Sequence, residues 1–146
     1  MLKSIAAALT LTLAFAAPSY AQSDELGRCM ADSTTGKDRK ELARWIFISV
    51  AAHPNMNDIS RVSKDASEQS SRAMAAIVTR LLTENCANEA KAVVKSEGRQ
   101  GMKRAFEILG QLAMLELTSD KQVSASVGGF ERYLDRAKFD AVFDGK

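Results

Sequence analysis

The spacing of its apolar residues constrains this chain more than any other feature. Met74, Ile77, Val78, Leu81 and Leu82 fall at i, i+3, i+4, i+7 and i+8, which draws one apolar stripe along a helix. Met102, Ala105, Phe106, Leu109, Leu112 and Ala113 repeat the pattern further on. Strand signals are nearly absent: no stretch alternates apolar and polar residues over about six positions with β-branched enrichment. The expected fold is therefore all-α, a compact irregular bundle of five to six helices. At its centre should lie the helices from Asp38 to Ala52 and from Gly101 to Leu117.

Local chemistry suggests where these helices begin and end. Ser23 is a candidate N-cap for a first helix from Asp24 to about Asp32. Thr35, with Asp38 three residues on, has the makings of a capping box for the second. His53-Pro54 stops that helix, because proline disfavours the α conformation in the residue before it. Trp45 to Ala52, with only Ser49 inside it, is apolar nearly all round, which suits a central helix or an interface. A third helix starts between Asp58 and Asp65 and runs to about Asn85. A fourth, about Asn88 to Ser96, has Gly98 as its C-terminal signal. In the fifth, Gly110 costs roughly 1 kcal/mol against alanine, and a close helix crossing would account for it. Ser119 is expected to cap a short sixth helix that Gly128-Gly129 stops. One or two short helices carrying Tyr133, Leu134, Phe139, Val142 and Phe143 close the chain.

The N-terminus has a different character. Lys3 precedes an apolar run, Ile5 to Ala17, of about 13 residues; Pro18 breaks it, and Ser19-Tyr20-Ala21 places small residues three and one before a cut. That order is the pattern of a cleavable secretory signal peptide over residues 1–21. The run is too short to span a bilayer of roughly 30 Å. Removing 21 of the 146 residues leaves 125, residues 22–146, which read as one helical domain with no linker or internal repeat. The expected location is the periplasm or the extracellular space, with no membrane span in the mature chain.

Charge then excludes some functions. The whole chain has 20 basic and 18 acidic residues, and loss of Lys3 leaves the mature part near +1. So small a net charge argues against nucleic acid and anionic membrane as partners. In an exported protein the two cysteines are best read as a Cys29–Cys86 disulfide. Cys29 sits beside Leu26 and Met30, and Cys86 follows the third helix's stripe, so the bond would tie the first helix to the end of the third.

Catalytic and metal motifs do not emerge. Gly36-Lys37-Asp38 lacks the glycine, the hydroxyl residue and the preceding strand of a phosphate loop. Cys29, His53 and Cys86 have no metal-ligand spacing. Met30, Met56, Met74, Met102 and Met114 are not clustered as a copper(I) site would require. Nothing in the sequence brings any two of Glu84, Glu97, Glu107, Glu116 and Asp135 to catalytic distance. No cofactor is expected. Lys37 and Arg39, beside a helix N-terminus that favours anions, and His53, the single histidine, make up the candidate binding surface.

The stretch Cys29-Met30-Ala31-Asp32-Ser33-Thr34-Thr35-Gly36-Lys37-Asp38-Arg39-Lys40, continuing through Trp45-Ile46-Phe47 to His53-Pro54, resembles small secreted proteins of Gram-negative bacteria that carry no assigned activity. The likeness extends to Arg80-Leu81-Leu82-Thr83-Glu84-Asn85-Cys86, about a third of the chain in all. It implies a disulfide-bonded helical domain and transfers no functional residue. The function expected first is a non-catalytic binding or interaction module whose partner is another envelope or secreted protein. Envelope accessory proteins and toxin inhibitors are its concrete forms. The alternative is a carrier of a small apolar ligand in a cavity among the central helices. A hydrolytic enzyme comes last.

Overall fold

The structure, a computed structural model, describes residues 20–143. Of the expected signal segment, residues 1–19 lie outside the described residues. Among the described residues there are seven α-helices and no strand: α1 (Ala21–Asp32), α2 (Gly36–Ala51), α3 (Lys64–Arg80), α4 (Ala87–Ser96), α5 (Gly98–Thr118), α6 (Lys121–Gly128) and α7 (Arg136–Phe143). Short 3-10 turns occupy Pro54–Met56 and Gly129–Tyr133, and a π-helical turn, Leu81–Asn85, follows α3. The all-α expectation holds. The count of five to six helices does not, because the stretch after Gly128-Gly129 gives a separate α7 beyond α6.

Capping explains most of the boundaries. Thr35 and Asp38 form the expected capping box: the Asp38 N–H donates to Thr35 Oγ1 at 3.1 Å, and the Thr35 N–H donates back to Asp38 Oδ2 at 2.8 Å. Gly98, at φ 57°, adopts the left-handed conformation glycine tolerates and turns the chain from α4 into α5. Two expected caps are replaced. Ser23 lies inside the first turn of α1 rather than ahead of it, and its N–H donates to Glu97 Oε1, from a residue 74 positions away, at 3.1 Å. Asp120, not Ser119, caps α6, accepting from the N–H groups of Gln122 and Val123. A carboxylate at a helix start meets the positive dipole end more strongly than a hydroxyl does.

α5 is the hub and packs against α1, α2, α4 and α6, while α2 also packs on α3. Leu26 and Met30 of α1, Val93 of α4 and Ala105 of α5 are completely buried, joined by Leu81 of the π turn. Close approach of α1 and α5 depends on Gly27, where an added Cβ would collide with Ile108, lying 2.9 Å from its Cβ and closer still to its Cδ1. The Cys29–Cys86 disulfide is formed, with Cα atoms 5.9 Å apart, and Cys86 is fully buried. α2 is less central than its composition suggests. Ile48 and Ala51 face inward, but Phe47 is 60% and Val50 57% exposed.

Candidate functional site

Lys37 and Arg39 sit in the first turn of α2, and His53 lies just past its other end. A helix of 16 residues is roughly 24 Å long at about 1.5 Å per residue, so the structure keeps His53 apart from the two cations. Lys37 is exposed. Arg39 is engaged internally: its Nη1 donates to the Thr34 carbonyl at 3.2 Å, and its Nε lies 3.5 Å from Glu116 Oε2. His53 Nδ1 accepts from the Asn55 N–H at 3.2 Å and so caps the turn Pro54–Met56.

The N-terminus of α2 already holds an anion of its own, Asp38. Arg80 Nη2 donates to Asp38 Oδ2 at 2.8 Å, while Arg80 Nη1 donates to Asn85 Oδ1 at 2.8 Å and to the Ser33 carbonyl at 3.3 Å. One guanidinium thus joins the end of α1, the start of α2 and the π turn. Burial pushes the Asp38 carboxyl up, but the Thr35 hydrogen bonds and the Arg80 charge outweigh it and hold it below its ordinary value. Glu97 behaves alike. Burial raises it, and the bonds from Arg104 and Ser23 bring it lower than usual. Arg104 also stacks 3.9 Å above the Tyr20 ring. Four of the carboxylates considered from sequence face cations rather than one another: Glu97 with Arg104, Glu107 with Lys103, Glu116 with Arg39, Asp135 with Lys138. No group of three metal-ligating side chains converges among the described residues.

Two apolar features remain. The first is a cavity of about 350 Å³ between α2, α3 and α5. Its floor is core, formed by Leu42, Leu109 and Ala113, all at most 2% exposed. Half-buried Trp45, Met74 and Phe106 form its mouth. Gly110 lies on its wall, and a Cβ built there meets nothing within 4 Å. The close helix crossing expected at Gly110 is therefore absent; this glycine opens onto space, while close approaches fall at Gly27, against Ile108, and at Gly101, against Val93.

The second feature is the chain after Asp120. Neither α6 nor α7 nor the 3-10 turn between them contains a buried residue. Val127, Phe130, Tyr133, Phe139, Val142 and Phe143 are all exposed, the last by 76%. Phe139 and Phe143 stack on each other with ring centroids 6.0 Å apart. At about 200 Å² for an aromatic side chain, the four rings together leave on the order of 500 Å² of aromatic surface open to water. Sequence reasoning found these helices but not their exposure. Their pattern is too short to fix a face, since each helix has 8 residues.

Fold and site together define a disulfide-bonded, all-helical domain, and no described helix is long and apolar enough to cross a membrane. No protein-family model matches the chain, and searches of curated proteins and of solved structures find no match.

Proposed function

We propose that this protein is an exported, non-catalytic interaction module, and that residues 121–143 form the arm with which it grips another envelope or secreted protein. The observation that carries this reading is an arm rich in aromatic residues that contributes nothing to the domain's own core. Exposed aromatics are favoured anchors in protein interfaces, where they bring large contact area at small entropic cost. Phe139, Val142 and Phe143 lie at i, i+3 and i+4 on α7, the spacing by which a short helix enters an apolar groove. Arg132, Asp135, Arg136, Lys138 and Asp140 supply mixed charge around them, suited to a polar rim rather than to a polyanion.

Export is supported by the order of residues 1–21 and by the disulfide, a bond that persists in oxidising compartments. A cut before Gln22 leaves α1 whole but for its first residue. Mass spectrometry of exported protein is expected to find Gln22 at the N-terminus; a retained segment 1–21 would refute export. For the arm, the mature protein and its Phe139→Asp/Phe143→Asp variant serve as baits in an envelope extract. One partner should be retained stoichiometrically by the first and lost by the second, with equal thermal stability. Identical captures, or association only with a second copy of the chain in light scattering, would overturn the reading.

A further inference from the structure

We propose that the cavity between α2, α3 and α5 is a binding site for one small, uncharged, largely hydrocarbon molecule. Its volume of about 350 Å³, set against about 30 Å³ for each water-sized group, gives room for roughly ten heavy atoms. The lining is almost wholly apolar, the Trp45 indole N–H being its one polar side-chain group. Ile46 joins the floor and mouth residues, and no charged or hydroxyl-bearing side chain borders the space. An ionised group inside would lose its water and gain no charged partner, which favours neutral ligands over acids and amines. Enclosed apolar cavities stay dry and accept hydrocarbon guests, and a hydrocarbon seated here would cover apolar walls in the same way. The aromatic faces of Trp45 and Phe106 and the thioether of Met74 provide polarisable contacts at the mouth.

Gly110 is the sign that the space is maintained. A glycine in mid-helix is unfavourable against alanine, and here it serves neither a turn nor a close crossing. Its missing side chain is part of the cavity's volume. The site shares no residue with the C-terminal arm, so either reading can fail without the other.

Trp45 is the chain's single tryptophan and stands in the wall, so its fluorescence reports occupancy. The mature, disulfide-bonded protein is titrated with nonan-1-ol, and in parallel with octanoate, a charged probe of about the same number of heavy atoms. Nonan-1-ol is expected to give a saturable shift of Trp45 emission with one site per chain. Octanoate should bind at least tenfold more weakly. Gly110→Leu fills the space and should weaken nonan-1-ol at least tenfold at an unchanged or higher Tm; Gly110→Ala, the milder filling, should fall between. Non-saturable binding, equal affinity for octanoate, or undiminished binding in both Gly110 variants would overturn the proposal. So would a change in unliganded Trp45 emission on Phe139→Asp/Phe143→Asp, since the arm would then be the occupant.

Discussion

Reducing the Cys29–Cys86 bond should cost this domain about 4 kcal/mol. The bond closes a loop of 57 residues, and the entropy such a crosslink removes from the unfolded chain amounts to roughly 4 kcal/mol at 25 °C. Native stabilities are usually about 5–15 kcal/mol, so the bond carries a large share. Unfolding entropy near 2.1 cal/mol/K per residue over roughly 120 residues converts this into a fall in Tm of about 15 °C. Reduction leaves both sulfurs in place, so packing around buried Cys86 is largely kept and the crosslink alone is tested. α1 should remain docked, because Leu26, Met30 and the Gly27–Ile108 contact hold it to α5 independently of the bond. The assay is guanidinium unfolding followed by helical circular dichroism, with and without reductant, alongside thiol titration of the unfolded, unreduced protein. Oxidised and reduced curves within about 1 kcal/mol of each other, or two free thiols per chain before reduction, would refute the reasoning.

The two glycines make opposite predictions for one substitution. Gly27→Ala should destabilise by about 1–3 kcal/mol through collision with Ile108, whereas Gly110→Ala should be neutral or gain up to about 1 kcal/mol; equal effects in thermal melts would contradict the assigned geometry. Asp38 and Glu97 are held below their ordinary values of 3.8 and 4.5, so the folded state binds fewer protons than the unfolded one, and stability must fall as the pH drops through and below that range. Asp38→Asn should remove part of this acid sensitivity and cost about 1–2 kcal/mol at neutral pH, measured as unfolding free energy against pH; an unaltered slope would count against the assignment. His53→Ala should cost about 0.5–1 kcal/mol by loss of the cap on Asn55 and His53→Asn should restore it, with denaturant midpoints as the check.

Local chemistry was the most legible part of the sequence. The Thr35–Asp38 box, the stop at His53-Pro54, the turn at Gly98 and the inward faces of α3 and α5 depend on residues a few positions apart, and these emerge as read. What could not be read depends on residues far apart. Glu97 is an ordinary helix-end glutamate until folding brings it to α1, where it displaces Ser23 as the cap. Gly27 and Gly110 are indistinguishable in sequence, each one glycine in a helical pattern, and only the placement of Ile108 tells which marks a crossing. Lys37 and Arg39 are equivalent in sequence as anion ligands, yet Glu116, from a helix far along the chain, engages Arg39 alone. The arm escaped for a related reason: apolar periodicity tells which face of a helix is greasy and says nothing about whether a neighbour covers it.

Burial is divided unevenly across the molecule, and the division falls where the cavity lies. The fully buried side chains cluster on one side, in α1, α4, α5 and the π turn, with the disulfide among them. On the other side α3 buries only Ser70 and Ile77 along 17 residues, and the Ser70 hydroxyl has no hydrogen-bond partner, a cost an apolar contact would not incur. Met74, at the cavity mouth, belongs to this weaker helix, whose end is anchored by the π turn and Cys86 while its start at Ser63 has no such tie. Regions with few buried apolar contacts open at lower free energy than the core. Opening of α3 from its N-terminal end would therefore widen the cavity from the side and leave the disulfide-bonded half intact. Native-state hydrogen exchange should rank the amides accordingly: α7 and α6 open first, the first half of α3 next, and α1 and the middle of α5 last, near the global unfolding free energy. Ligand-saturated protein should slow exchange in α3 and leave α7 unchanged. If α3 and α5 instead exchanged with one common free energy, the domain would open as a single unit, and α3 could not be the route by which the cavity is filled.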